Sequence, residues 1–271
     1  MEFEEHRAAL TSLAYRVLGS RHDAEDIVQE AWLRWRDATD VRNPRGFLFT
    51  VVTRLAIDRL RSRAREPYVG PWLPEPVPTP ADVVDRRAEV SLAALRLMER
   101  LTPPQRAVYV LREAFDLPYA EIAAVLEVTE PGARQLHRRA AEQLADGRAR
   151  FEPDKTAHRA LVDRFLAAAS TGDSAGLHRL LAEDVVLWSD GGGRVRAALQ
   201  PIYGADRVAR FLLGVIAKFP SRWERAEANG GPVLFWYGGT AHLWSFEVTD
   251  GRIVGVQSVS NPDKLVSWVT S

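Results

Sequence analysis

The chain has 271 residues, enough for two domains or three small ones, and its 36 basic and 36 acidic residues cancel. That balance excludes a uniformly basic surface, so any nucleic-acid contact must come from local charge, and acidic faces remain for a protein partner. Cysteine is absent, which rules out disulfides, thiolate metal sites and cysteine nucleophiles; no apolar run reaches about 18 residues and no signal-like N-terminus is present, so the expectation is a soluble, cytoplasmic protein with no membrane partner.

Residues from about Phe3 to Leu18 read as a helix, with Leu10, Leu13, Ala14, Val17 and Leu18 as its apolar face and Gly19-Ser20 as its stop. A second helix opens at Asp23, read as its cap with Asp26 three residues later. Val28, Trp32 and Trp35, with Ile27 and Ala31 beside them, form the stripe expected to bury itself, and Asp23, Asp26 and Glu30 form an acidic ridge in water. A third helix follows the loop Val41–Gly46. Leu48, Val51, Val52 and Leu55 form its buried stripe, and Arg54, Asp58, Arg61 and Arg65 share another face. Arginines trailing from a turn that bears Phe47 and Phe49 suit a phosphate backbone and unstacked bases.

These two stretches, Asp23–Trp35 and Asn43–Arg65, resemble region 2 of extracytoplasmic-function sigma factors. The match runs from about Phe3 to Arg65, and Asp23, Ala24, Glu25, Asp26, Gln29, Glu30 and Trp32 stand where the family pattern expects them. The resemblance implies that Asp23, Asp26, Gln29 and Glu30 bind the clamp coiled coil of core RNA polymerase. It implies that Arg45, Phe47, Arg54, Asp58 and Arg61 engage the promoter −10 element.

Five prolines between Pro67 and Pro80 forbid a helix and favour extended backbone, so residues 67–85 read as a linker. Tyr68, Trp72 and Leu73 are apolar anchors within it and are expected to dock. A helix is expected from about Ala81 to Leu101. Thr102 caps the next one, about Pro103–Phe115, with Gln105 at the capping-box position and Val108, Leu111 and Ala114 inward. Pro118–Leu126, the turn Glu127-Val128 and a helix capped by Thr129 and running to about Arg148 make a helix-turn-helix. Ile122, Ala123 and Leu126 are expected to pack on Val128, Ala133, Leu136 and Ala140. Arg134, Gln135, Arg138 and His137 then face outward, where Arg reads guanine or phosphate and Gln reads adenine. Leu101–Val108, Tyr119–Ala123 and Gly132–Ala140 resemble sigma region 4. That likeness implies −35 recognition by these four residues and a contact with the polymerase flap; the region 4 domain is placed at residues 86–150 after a region 2 domain at 1–66.

Residues 151–271 lie beyond both regions. Helices are expected at about Lys155–Ser170, from Asp173 to Leu181, and at Ala205–Phe219. Strands are expected at Val185–Trp188, Arg194–Leu199, Ser221–Ala228, Pro232–Tyr237, Thr240–Val248 and Arg252–Val259, with hairpin turns at Gly238-Gly239 and Asp250-Gly251. The fold class is therefore multidomain: two all-α domains followed by an α+β domain. The order resembles the SnoaL-like, cone-shaped α+β barrel related to nuclear transport factor 2. Asp190-Gly191-Gly192-Gly193-Arg194, Asn261-Pro262-Asp263-Lys264-Leu265 and, in the linker, Trp72-Leu-Pro-Glu-Pro76 resemble the sigma factor group that carries this extension. In that group the extension is thought to regulate the sigma domains in cis. The expectation is that the two loops meet the linker or region 2; the alternative is that they are internal turns of the barrel. An alternative function is an enzyme or small-ligand-binding domain of cyclase type, with His242 and Asp190 as acid or base and Trp188, Trp223, Trp236, Tyr237 and Trp244 around the cone. No enzymatic activity, cofactor or metal is expected for the chain, and an unidentified small ligand is left open.

Overall fold

A computed structural model describes residues 2–79, 90–148, 154–218 and 223–269. The chain divides into two compact units, Met1–Pro67 with Leu95–Asp146 and Tyr68–Ala94 with Gly147–Ser271. The linker stretch thus belongs with the C-terminal domain. The part of the helix expected at 81–89 lies outside the described residues.

In the helical unit α1 (Glu2–Leu18), α2 (Arg21–Asp37) and α3 (Pro44–Arg63) pack on one another. Leu10, Leu13, Ala14, Val17 and Leu18 are fully enclosed. Burying each large aliphatic among them stabilises the fold by about 1.5–3 kcal/mol relative to exposure. Three expectations are corrected here. Ser20, not Asp23, caps α2: its Oγ accepts from the Asp23 amide at 3.2 Å. The stripe that α2 buries is Ala24, Ile27, Val28 and Ala31, which rotates Trp32 to the surface at 38% exposure. In α3 the buried set is Leu48, Phe49, Val52, Thr53, Ala56, Ile57 and Leu60, leaving Val51 and Leu55 half-buried. In both helices small or β-branched residues permit close approach, so the seam runs about one position away from the bulkiest apolar line.

The unit continues with α4 (Leu92–Met98) from Leu95 on, α5 (Pro103–Glu113), α6 (Tyr119–Leu126) and α7 (Glu130–Arg148) as far as Asp146. The Thr102 amide donates to Gln105 Oε1 at 2.9 Å, as the capping box requires. Ala114, expected inward, is exposed because α5 ends at Glu113. Glu127 turns the chain in the left-handed conformation at φ 56°. Thr129 Oγ1 accepts from the Gly132 amide at 3.2 Å, and Ile122, Ala123, Ala133 and Ala140 are buried. Val128 is instead 39% exposed.

The second unit carries α8 (Lys155–Ser170) and α9 (Ser174–Leu180). Then come β1 (Leu181–Asp190), β2 (Ile202–Tyr203), α10 (Ala205–Lys218), β3 (Glu224–Ala228), β4 (Gly231–Tyr237), β5 (Ala241–Thr249) and β6 (Arg252–Val259), with a closing α11 (Val266–Val269). The described strands form one sheet in the order β2-β1-β6-β5-β4-β3, antiparallel except for the parallel β1–β6 pair. The strand expected at Arg194–Leu199 does not form. Of the chain that follows, Ile202 and Tyr203 alone among the described residues before α10 pair with β1, because Gly191–Arg194 closes a tight turn that leads the chain off the sheet edge. Helices α8 to α10 cover one face through a core that includes Phe165, Leu187, Leu234, Trp244, Phe246 and Val256.

Candidate functional site

On α2, Asp26, Gln29 and Glu30 are exposed, with Leu33 beside them at 40% exposure. Glu30 pairs with Arg34 at 2.6 Å and Asp26 lies 3.6 Å from His22. Asp23 is not on this ridge. It is 9% exposed, and the Arg59 guanidinium of α3 reaches its Oδ1 at 2.8 Å. That hydrogen bond raises the pKa of Arg59. Asp23 therefore ties α2 to α3, a consequence of its place one residue before the buried Ala24.

On α3, Arg45, Asp58 and Arg61 are exposed, and Asp58 and Arg61 pair at 3.1 Å. The Arg45 guanidinium lies over the Phe49 ring at 5.0 Å, and Phe47 lies 6.0 Å from Trp35. Phe49 itself is buried, edge-on to Phe115 of the helix-turn-helix part at 5.3 Å. Arg54 leaves the arginine face. Its Nε donates to the Val125 carbonyl at 3.0 Å and its Nη1 pairs with Glu127 at 3.0 Å.

On α7, Arg134, Gln135 and Arg138 are exposed. Arg134 lies over the Tyr119 ring at 4.6 Å and pairs with Glu130, and Arg138 lies 3.6 Å from Glu142. His137 is corrected: it faces inward, with Nδ1 3.0 Å from the Tyr119 hydroxyl, Nε2 3.0 Å from Glu113 and its ring stacked on Tyr109. Its position three residues after Arg134 puts it on the flank of the helix that meets α5. It ties α7 to α5 and α6.

The loops after β1 and β6 come together, and the linker lies in the junction. Asp190 is fully buried. Its Oδ1 accepts from the Tyr68 hydroxyl at 2.6 Å and the Gly192 amide at 3.0 Å. Its Oδ2 accepts from the Leu73 amide at 2.9 Å and Lys264 Nζ at 2.7 Å. Lys264 also donates to the Leu73 carbonyl and lies over the Trp72 ring at 3.9 Å. Asn261 donates to the Tyr68 hydroxyl at 3.1 Å and accepts from the Asp263 amide, which opens the short turn Pro262–Lys264. Leu265 is fully buried behind it, and Arg194 and Asp263 bridge the two loops at the surface, 3.3 Å apart. Burial and the Asp190 carboxylate push the Tyr68 phenol well above its usual range, so it stays a donor.

The glycine triplet is required by this packing. Gly192 and Gly193 have φ of 58° and 73°; a Cβ on Gly192 would fall 2.2 Å from the Asn261 amide nitrogen, and one on Gly193 would press on Val69 at 3.2 Å. Gly191 is closed in by the Val195 carbonyl.

Beyond Trp72 the linker becomes an extra edge of the sheet. Val77 and Asn229 exchange hydrogen bonds of 2.9 and 3.0 Å, the Thr79 amide donates to Glu227 O at 3.0 Å, and Pro78 bridges Ala228 antiparallel. Trp268 Nε1 donates to the Pro76 carbonyl at 2.9 Å while its ring packs on Phe235. Asn229 is the residue that sequence reasoning missed, whereas Trp268, expected to anchor the tail with Leu265, does so. The only signal at Asn229 is an Asn-Gly pair, which reads equally well as a plain hairpin turn.

The candidate acid and base do not share a cavity. Asp190 is in register with Val259 and Leu243, so His242, the neighbour of Leu243, projects to the opposite face. There His242 lies 5.0 Å from Trp236, and burial lowers its pKa to about 4. Trp223 and Trp244 pack with it on the helix-covered face, whereas Tyr237 is 56% exposed and Trp188 alternates away from buried Leu187.

Residues 3–66 match the model for Sigma-70 region 2, and residues 91–144 match that for Sigma-70 region 4. The chain is 40% identical to the ECF RNA polymerase sigma factor SigJ of Mycobacterium tuberculosis, across 97% of this chain and 92% of that protein. It is 35% identical to the probable ECF sigma factor SigI of the same species, across 77% and 73%. The crystal structure of M. tuberculosis SigJ superposes with a TM-score of 0.79 at 37% identity, covering 98% of this chain and 97% of that one. The chain belongs to the extracytoplasmic-function sigma factors of the sigma-70 family, which direct RNA polymerase to specific promoters to begin transcription.

Proposed function

We propose that the helical unit supplies the polymerase and promoter contacts and that the α+β domain governs them by holding the linker. Asp26, Gln29 and Glu30 on α2 take the core polymerase, with exposed Trp32 and Leu33 as apolar neighbours. Asp23 supports the ridge from behind through Arg59. Arg45, Phe47, Arg54, Asp58 and Arg61 serve the −10 element; Arg134, Gln135 and Arg138 serve the −35 element, positioned by His137. The protein breaks no bond itself, acts alongside cytoplasmic polymerase, and uses its inner aromatic face as a packed core.

The observation that carries the regulatory part is the four-donor enclosure of Asp190 by Tyr68, Leu73, Gly192 and Lys264. At about 3.3–3.6 Å per residue Tyr68–Thr79 is a segment of roughly 40 Å, so docking it fixes the course of much of the chain joining region 2 to region 4. Releasing the linker frees that course. The test is promoter-directed transcription with core polymerase by the full chain, by a chain ending at Arg150, and by Asp190→Ala. Truncation and Asp190→Ala should shift promoter activity in the same direction. Opposite shifts, or none, defeat the linker mechanism. Asp26→Arg should abolish capture of core polymerase; retention at wild-type affinity would defeat the α2 assignment.

A further inference from the structure

Tyr119 opens α6, and side chains of α5 and α7 converge on it. Two guanidinium groups lie over its ring, Arg134 of α7 at 4.6 Å and Arg112 of α5 at 5.1 Å from the centroid. Arg112 is itself pinned to the α5–α6 turn. Its Nη1 donates to the Leu117 carbonyl at 3.0 Å and lies 3.3 Å from the Asp116 carboxylate. At the other end of the ring the phenol oxygen lies 3.0 Å from His137 Nδ1, and His137 Nε2 lies 3.0 Å from Glu113. A carboxylate only accepts, so Nε2 turns its hydrogen to Glu113, and in the neutral ring Nδ1 accepts from the phenol. The half-buried Tyr119 ring is therefore fixed at its face by α5 and at its hydroxyl by α7.

Arg134 is held from two directions. The Tyr119 ring draws its charge, and Glu130, one turn earlier on α7, pairs with Nη2. The Arg134 side chain is still 59% exposed. A ring under a guanidinium covers its flat face and leaves the in-plane N–H groups able to donate. The group is thus restrained without being used up. A long side chain loses rotamer freedom when it engages a base edge, and prior restraint removes part of that cost. Glu130 adds a second effect. Partial neutralisation of Arg134 weakens its pull on phosphate, which every sequence offers, more than its hydrogen bonding to a guanine edge, which only some sequences offer.

We propose that Tyr119 is a positioning residue for promoter recognition: its ring presets the Arg134 guanidinium for one base pair, and Glu130 keeps that guanidinium from acting as a general phosphate anchor. Tyr119 acts through Arg134 and needs no base contact of its own. The inference rests on the reading above that Arg134 serves the −35 element.

The test uses the full chain with core polymerase and a pool of random-sequence duplexes, from which bound molecules are selected and sequenced. Arg134→Ala should flatten the preference at one base pair roughly tenfold, which marks the pair that Arg134 reads. Tyr119→Leu should flatten the same pair about three- to fivefold and leave the other positions within about twofold. Tyr119→Phe should stay within about twofold throughout, because phenylalanine offers the same face. Once Arg134 is alanine, Tyr119→Leu should add nothing at that pair. On one duplex of scrambled sequence, Glu130→Gln should tighten binding and steepen its logarithmic salt dependence by about 0.9. Wild-type preference at the Arg134 pair in Tyr119→Leu overturns the positioning role and leaves the −35 reading standing. Flattening at every position does the same, since it makes Tyr119 a plain fold element. An unaltered salt dependence in Glu130→Gln overturns the part given to Glu130. If Arg134→Ala flattens no pair, the −35 reading of Arg134 falls and the positioning role falls with it.

Discussion

The two seams are built differently. At the linker seam a carboxylate with no exposure has both oxygens doubly satisfied, and its lysine partner is itself hydrogen-bonded to the segment being held. At the seam between region 2 and region 4 one carboxylate, Glu99, is shared by two cations, Arg63 and Arg106, a buried N–H of Arg106 is left over, and the far end is the Arg54–Glu127 ion pair, open to water. Complete satisfaction makes a buried charge a fixed joint. Incomplete satisfaction makes a contact that comes apart at small cost. The same residue types thus give one fully satisfied and one partly satisfied contact within a chain.

The sharpest way to break the contrast is Asp190→Ala. It strands Lys264 in a buried site and should destabilise the α+β domain by about 3–5 kcal/mol, read by urea unfolding through tryptophan emission. Adding Lys264→Met should recover part of the loss; no recovery would mean that the pair is not the joint. The next largest effect comes from acid. His242 has its pKa lowered from 6.5 to about 4, and burial lowers that of His158 as well. Below pH 6.5 the unfolded chain binds a proton that folded His242 refuses until about pH 4. The contribution of His242 is therefore complete above pH 6.5 and lost as pH falls through that window, up to about 3 kcal/mol. His242→Gln should flatten the decline between pH 7 and 4.5, and an unaltered slope would remove His242 from the account.

Gly192→Ala should cost about 1–3 kcal/mol, since it sets a side chain against Asn261 at positive φ. Its diagnostic sign is faster proteolysis within Tyr68–Thr79, which a merely local strain would not cause. The smallest effect is that of salt. Raising ionic strength to about 0.5 M should weaken the Arg54–Glu127 contact by less than about 1 kcal/mol, read as faster amide exchange at the end of α6. Linker proteolysis should stay the same; equal sensitivity of both seams would erase the distinction drawn here.

Much of this was legible before any coordinates. Helical periodicity placed α1, α8 and the helix-turn-helix within a residue or two, because a helix with one enclosed face leaves a regular trace of apolar positions. The motifs around Asp190 and Asn261 stood out because two glycines at positive φ and an Asx turn have few substitutes. Less legible was which line of a helix turns inward. Trp32 reads as core by size, yet α2 buries the small residues Ala24 and Ala31, which let α1 approach. Asp23 and His137 read as exposed by residue type, and each is taken by a partner far along the chain, Arg59 and Glu113.

Local sequence determined the kinds of segment and the family to which the chain belongs, since these depend on spacing within about a dozen neighbours. Only the tertiary structure decided that Asp190, Leu73 and Lys264 form one buried joint, that Val77–Thr79 extends the sheet beside β3, and that Arg54 rests on α6. Each of these is a meeting between residues 70 to 191 positions apart. A buried charge finds its partner by position in space, which no local pattern encodes.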